Sequence, residues 1–270
     1  MKQYKMICLD IDGTLLNSEH RISQRTKEVI QLVSEKMHIP VILVSARMPR
    51  GIIFLLEELH ISNPIICYSG ALIMDDNKKV LSNVTIPSLE AKQVYELATQ
   101  MGIHISIYKD DEWYVERLDD WAEQEGAITN MSPITVSLAD LFDIWEKEFT
   151  GPNKILCMAD HTALASLNTS ITKHYSNHLS IYFSKPTYLE LMPGDASKIS
   201  AIEVLCAKYG IQRSEVIAIG DNYNDINMIE FAGLGIAMGN APEAVKQYAD
   251  DITLSNDEDG VAEAIKKYII

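Results

Sequence analysis

The chain has 270 residues, with 38 Asp and Glu against 23 Lys and Arg, a formal net charge of −15, and 47% apolar and 23% charged side chains. That balance excludes a broad nucleic-acid or anionic-membrane binder, which needs a basic footprint to neutralise phosphates, and the composition excludes disorder and collagen-like repeats. No apolar run approaches the roughly 18 residues that cross a bilayer, and the first ten residues lack the apolar stretch and small-residue cleavage site of a signal peptide. Cys8, Cys67, Cys157 and Cys206 are dispersed with no CxxC pair, so reduced structural thiols in a cytoplasmic protein are expected.

In chain order, Lys5–Ile11 is a short apolar run that ends abruptly in Asp-Gly-Thr, the mark of a buried strand entering a turn. Ser23 is placed to cap a helix whose apolar positions Val29, Ile30, Val33 and Met37 keep helical spacing. A second apolar run, Pro40–Ser45, precedes a helical stretch from Pro49 to His60 and a third run, Pro64–Tyr68. Strand, helix, strand, helix, strand is the pattern of a parallel sheet covered on both faces. From about Ser82 to Tyr188 the pattern changes to an amphipathic helix, Leu89–Met101, and alternating pieces such as Ile103–Tyr108 and Trp113–Val115, which predict an α+β unit whose sheet is buried on one face. After Asp195 the first pattern resumes, with a helix to Tyr209, the strand Glu215–Ile219 and the turn Gly220–Asp225. Gly233–Gly239 lacks the spacing of a dinucleotide loop and reads as a short strand. The fold class expected is α/β: a doubly wound parallel sheet over residues 1–82 and 190–270, interrupted by an inserted α+β cap over 83–189.

The chemistry concentrates at two strand ends. Asp10 and Asp12 follow the first strand, and Asp221 and Asp225 flank the turn after a later one. Ligands of open α/β sheets bind beyond the carboxyl ends of strands where the strand order reverses. If the two strands are neighbours, four carboxylates converge, and two unit charges about 4 Å apart repel by about 4 kcal/mol at an effective dielectric near 20. Such a cluster calls for a cation, and oxygen-only ligands with room for water and phosphate suit Mg²⁺. Helix capping by acidic turn residues accounts for any one of these aspartates, but not for Asp-x-Asp-Gly-Thr at a strand end.

Asp10-Ile-Asp-Gly-Thr-Leu15, Ser45, Lys198 and Gly220-Asp-Asn-Tyr-Asn-Asp225, in that order with a large insert before the lysine, resemble the four motifs of the haloacid dehalogenase superfamily. More narrowly, the chain resembles the Cof-type sugar-phosphate phosphatases, and the likeness covers nearly its whole length. The resemblance implies Asp10 as nucleophile and Asp12 as general acid and base, the latter favouring ester hydrolysis or transfer between alcohols, since related ion pumps typically carry Thr there and dehalogenases lack the acid. It implies Mg²⁺ on the Asp10 carboxylate, the Asp12 main-chain carbonyl and Asp221. The phosphate would be gripped by Ser45, the main-chain NH groups of Ile11 and Ala46, Lys198 and Asn224. Asp225 would orient Lys198 or a metal-bound water, and Thr14 would hydrogen-bond within its turn. The substrate implied is a small phosphorylated metabolite, with no nucleic acid, membrane or obligate protein partner. A phosphomutase or phosphotransferase using the same aspartyl phosphate and a non-catalytic phosphometabolite sensor are the alternatives.

Two departures from the family pattern stand out. The second motif reads Ser45-Ala-Arg47 where Gly is usual in the middle, and Ser69-Gly-Ala71 stands where relatives usually have Asn-Gly-Ala. Arg47 is expected either to bind a substrate anion or to hold the loop through an ion pair. The insert should set specificity. Its segment Asp110–Glu125 has eight acids and one base, Arg117, and is expected to be a solvated face, the alternative being carboxylates that bind sugar hydroxyls or a substrate amine.

Overall fold

The computed structural model describes residues 4–175 and 178–270. Its contacts divide the chain into two compact units, one of residues 1–47, 52–81 and 197–270, the other of 48–51 and 82–196.

The first unit starts with β1 (Met6–Asp10), α1 (Gln24–Gln31), β2 (Val41–Val44), α2 (Arg50–Leu59), β3 (Ile65–Cys67), β4 (Leu72–Met74) and β5 (Val80–Asn83). As its spacing predicted, α1 is capped by Ser23, whose side chain accepts from the Thr26 amide. The intervening unit contributes α3 (Ser88–Gln100), β6 (His104–Lys109), β7 (Glu112–Val115), α4 (Asp120–Thr129), β8 (Ile134–Thr135), α5 (Leu138–Lys147), β9 (Lys154–Met158), α6 (His161–Tyr175), β10 (Leu179–Lys185) and β11 (Tyr188–Pro193). The chain returns through α7 (Lys198–Tyr209), β12 (Val216–Gly220), α8 (Ile226–Phe231), β13 (Leu234–Ala237), α9 (Glu243–Lys246), β14 (Asp251–Ile252) and α10 (Gly260–Tyr268).

The first sheet has the order β14-β13-β12-β1-β2-β3-β4-β5. From β14 to β3 its pairs are parallel, and β4 runs antiparallel to β3. Every residue of β1, β2, β3, β12 and β13 is buried, as expected of strands covered on both faces. On one face Met6, Cys8, Ile42, Val44 and Ala218 pack with Ala201, Ile202 and Leu205 of α7 and Met228 of α8. All four cysteines are free and buried.

The second sheet has the order β10-β11-β9-β6-β7-β8. One face meets α3, α5 and α6 in a core that includes Ile105, Ile107, Ile155, Cys157, Leu189 and Leu191. The expectation of one-sided burial is corrected here, because the alternate residues His104, Ser106, Tyr108, Leu156, Met158, Tyr188 and Glu190 are buried too. Their polar groups satisfy one another: Lys154 pairs with Glu190 at 2.7 Å, His104 meets Asp119, and Tyr188 donates to Glu125 of α4 at 2.9 Å. Glu125 and Asp119 therefore leave the solvated acidic face that the composition suggested.

Candidate active site

β1 and β12 lie side by side in parallel, Leu9 opposite Ile219, and β1 has β2 on its other side. The strand order thus reverses at β1, and the turns after β1 and β12 leave the sheet together at the position where such folds bind ligands.

Asp10, the last residue of β1, is 7% exposed, Lys198 5% and Asp225 0%. The Lys198 ammonium donates to Asp10 Oδ1 at 2.6 Å and to Asp225 Oδ1 at 2.5 Å. Lys198 is held there because it opens α7, where Ser197 and Ser200 cap each other's backbone amides. The second oxygen of Asp225 accepts from the backbone of Asp221 and Asn222, at 3.1 and 3.0 Å. Asp225 thus anchors both the lysine and the turn. The Thr14 amide donates to the Ile11 carbonyl at 3.4 Å within the first turn, and its hydroxyl reaches across to donate to Asp221 Oδ1 at 2.8 Å. Gly13 makes that approach possible: its φ is +86°, and a Cβ there would lie 2.4 Å from Asp221 Oδ2.

The electrostatics leave the site short of positive charge. Burial and then the Asp225 charge push the Asp10 carboxyl well above its ordinary range, against the pull of Lys198. Burial, with the Asp225 charge, also lifts Asp221 to about 6 although Thr14 bonds it. Burial opposes the charge on Lys198, but Asp10 and Asp225 overcome it and raise its pKa. Oxygens of Asp10, Asp221 and Asp225 lie within 4.8 Å of one another. With Asp225 engaged by Lys198 and backbone amides, Asp10 and Asp221 are the carboxylates that fit a hard, oxygen-seeking cation.

Only three of the four predicted carboxylates converge. Asp12 is exposed, and its oxygens take Arg47 Nε at 3.0 Å and Nη2 at 2.5 Å in an ion pair. Ser45, 3% exposed, stands at the end of β2, where its Oγ accepts from the Arg47 amide at 3.2 Å. Its carbonyl accepts from Ser69 at 2.8 Å, and Ser69 adopts a left-handed φ of 53°. Ile11 is buried, Ala46 intermediate and Asn224 exposed in the turn before Asp225.

Sequence reasoning passed over two asparagines. Asn240 donates to the Gly13 carbonyl and Asn256 to the Leu16 carbonyl, both at 2.9 Å, and the Asn256 amide donates to Asn240 Oδ1 at 3.0 Å. They tie down the segment after Asp10 from 227 and 240 residues away, so no local motif announces them.

The family model for haloacid dehalogenase-like hydrolases matches residues 7–265. The chain is 34% identical to a Haemophilus influenzae protein named "Putative phosphatase", over 96% of each chain. A solved haloacid dehalogenase-like hydrolase from Bacteroides thetaiotaomicron superposes with a TM-score of 0.89 at 35% identity, covering 98% of this chain and 99% of that one. The structure of the subclass IIB sugar phosphatase BT4131 superposes with a TM-score of 0.81 at 25% identity, over 98% of each. The chain belongs to the haloacid dehalogenase-like hydrolases, and within them to the Cof-type branch that its motifs resemble.

Proposed function

We propose that this hydrolase is a Mg²⁺-dependent phosphatase of small phosphorylated metabolites, sugar phosphates foremost, working through an aspartyl phosphate on Asp10. The observation that carries the reading is the buried Asp10–Lys198–Asp225 cluster at the strand-order reversal, an anionic nucleophile beside a fixed cation. The name of BT4131 as a sugar phosphatase supports the substrate class.

An Asp10 carboxylate oxygen attacks phosphorus and the bond to the ester oxygen breaks, replacing one difficult displacement by two easier ones. Asp12 gives its proton to the departing alkoxide. Water then attacks the aspartyl phosphate, Asp12 takes its proton, and the phosphorus–carboxylate bond breaks to release inorganic phosphate and restore Asp10. Lys198, the Ser45 hydroxyl, the Ile11 and Ala46 amides and Asn224 hold the phosphate oxygens and stabilise their charge. The Asp10 carboxylate, the Asp12 carbonyl and Asp221 would hold Mg²⁺, which supplies charge that lets two anions meet. The inserted unit, 82–196 by its contacts rather than the 83–189 expected, serves as the cap that selects the leaving alcohol, and the remaining core treats phosphates alike.

The test is phosphate release from a panel of sugar, nucleotide and cofactor phosphates, with and without Mg²⁺, for the wild type and Asp10→Asn. The wild type should turn over several sugar phosphates only with the cation, and the variant should lose at least about 10³-fold. Undiminished turnover by Asp10→Asn would remove the nucleophile assignment, and phosphate appearing on a second sugar instead of in solution would make the enzyme a mutase.

A further inference from the structure

We infer that Arg47 is the positioning residue for Asp12, fixing the proton donor relative to the phosphate grip; the inference rests on the phosphatase reading above. Asp12 is the one carboxylate of the two motifs that the buried cluster does not hold. Its side chain is 53% exposed, so without a partner it would sample several rotamers in water. Arg47 contacts both carboxylate oxygens, Nε to Oδ2 at 3.0 Å and Nη2 to Oδ1 at 2.5 Å. Two-point contact from a planar guanidinium fixes orientation as well as distance, which a lysine does not do.

Arg47 is itself fixed from behind. Its carbonyl accepts from the Tyr68 amide at 3.1 Å, and its own amide donates to Ser45 Oγ at 3.2 Å. The residue that holds Asp12 by its side chain therefore holds the Ser45 hydroxyl by its backbone. The Asp12 end is anchored in turn, by Leu16 donating to the Ile11 carbonyl at 2.9 Å and by Asn240 on the Gly13 carbonyl. One residue thus sets the spacing between the group that grips phosphate and the group that protonates the leaving oxygen.

A positioning role for the acid predicts dependence on the leaving group. An alkyl alkoxide needs a proton as it departs, whereas 4-nitrophenolate leaves without one. The experiment compares single-turnover release of alcohol from glucose 6-phosphate and of nitrophenolate from 4-nitrophenyl phosphate, which isolates the first step. The proteins are the wild type, Arg47→Met, Arg47→Lys, Arg47→Gln and Asp12→Ala. Arg47→Met should slow the alkyl ester about 10²-fold, the scale of a misplaced acid, and at least about tenfold more than the aryl ester. Arg47→Gln, which keeps a donor in a smaller side chain, should show the same selectivity, Arg47→Lys should recover part of the rate, and Arg47→Met should cost nothing further on an Asp12→Ala background.

Equal slowing of both esters, an effect confined to KM, or a full additional loss on top of Asp12→Ala would overturn the inference and leave the phosphatase reading intact. Failure of that reading shows differently, as turnover that Asp10→Asn does not reduce, and it would take the role of Arg47 with it.

Discussion

Asp221 shows at the scale of one residue how the site trades stability for charge. Burial, aided by the Asp225 charge, raises its pKa from 3.8 to about 6. Because the folded chain holds this proton more tightly than the unfolded one, the contribution to stability is fully present below pH 3.8 and is lost as pH rises through about 6. At pH 8 the ionised carboxylate therefore works against the fold. Asp221→Asn keeps an acceptor for Thr14 and removes the charge, so without metal the variant should be more stable than the wild type by about 1–2 kcal/mol at pH 8, with no gain near pH 4. Added Mg²⁺ should raise the wild-type Tm and leave that of Asp221→Asn nearly unmoved, while activity falls sharply. Thermal melts at the two pH values, with and without Mg²⁺, check both halves. A wild type already more stable than the variant at pH 8 without metal would contradict the strained-carboxylate account.

At the scale of elements, the site depends on how closely the turn after β3 approaches the start of α7. Gly70 has φ +114°, and a Cβ there would lie 2.1 Å from the Ser197 carbonyl oxygen. The backbone at Ser197 is set by its reciprocal cap with Ser200, so the helix has no slack to retreat without carrying Lys198 off Asp10. Gly70→Ala should cost about 2–4 kcal/mol in urea unfolding and lower kcat more than it raises KM if Lys198 has its proposed role at the transferring phosphoryl group; an unchanged kcat would mean that the helix start moves independently of its lysine. The strands and turns that build this arrangement were legible in the sequence, because fully apolar runs ending in Asp or Ser leave few choices in a parallel sheet. The neighbours of the turns were not. Asp12 carries the same side chain as Asp10 two residues earlier, yet one enters the buried cluster and the other faces Arg47, and only the pairing of the turn after β1 with the loop after β2 decides between them. The second face of the inserted sheet was misread for a related reason: Tyr188 and Glu125 look like surface residues until a partner 63 positions away is placed against them.

On the scale of the whole molecule, the two units carry carboxylates with opposite responses to acid. In the first unit Asp10 and Asp221 are raised, so they favour the fold as pH falls toward 4. Of the depressed carboxylates of that unit, Glu215 and Asp251 pair with exposed lysines, which contribute little, and Asp75 is buried with the Lys79 and Asn77 amides holding it low. In the inserted unit, burial alone would raise Glu190, but the Lys154 ammonium and hydrogen bonds from Lys154, Ser184 and Tyr182 bring it below 4.5. Asp119, likewise, is held low against burial by His104 and the Ala122 amide. A depressed carboxylate stabilises the fold above its unfolded pKa, and that stabilisation is lost as pH falls through the lower folded value. The inserted unit should therefore loosen first as pH falls below 4.5, the value from which Glu190 is lowered, and the optics separate it cleanly, because Trp113, Trp121 and Trp145 all lie in it. Acid titration should shift tryptophan emission to the red at a pH where much of the far-UV circular dichroism persists. Replacing the buried pair together, Lys154→Met with Glu190→Leu, should move the fluorescence midpoint to lower pH, since a matched apolar pair has no proton to bind. Coincident fluorescence and circular dichroism transitions, unmoved by the double replacement, would mean that the units unfold as one and that Glu190 does not set the acid limit.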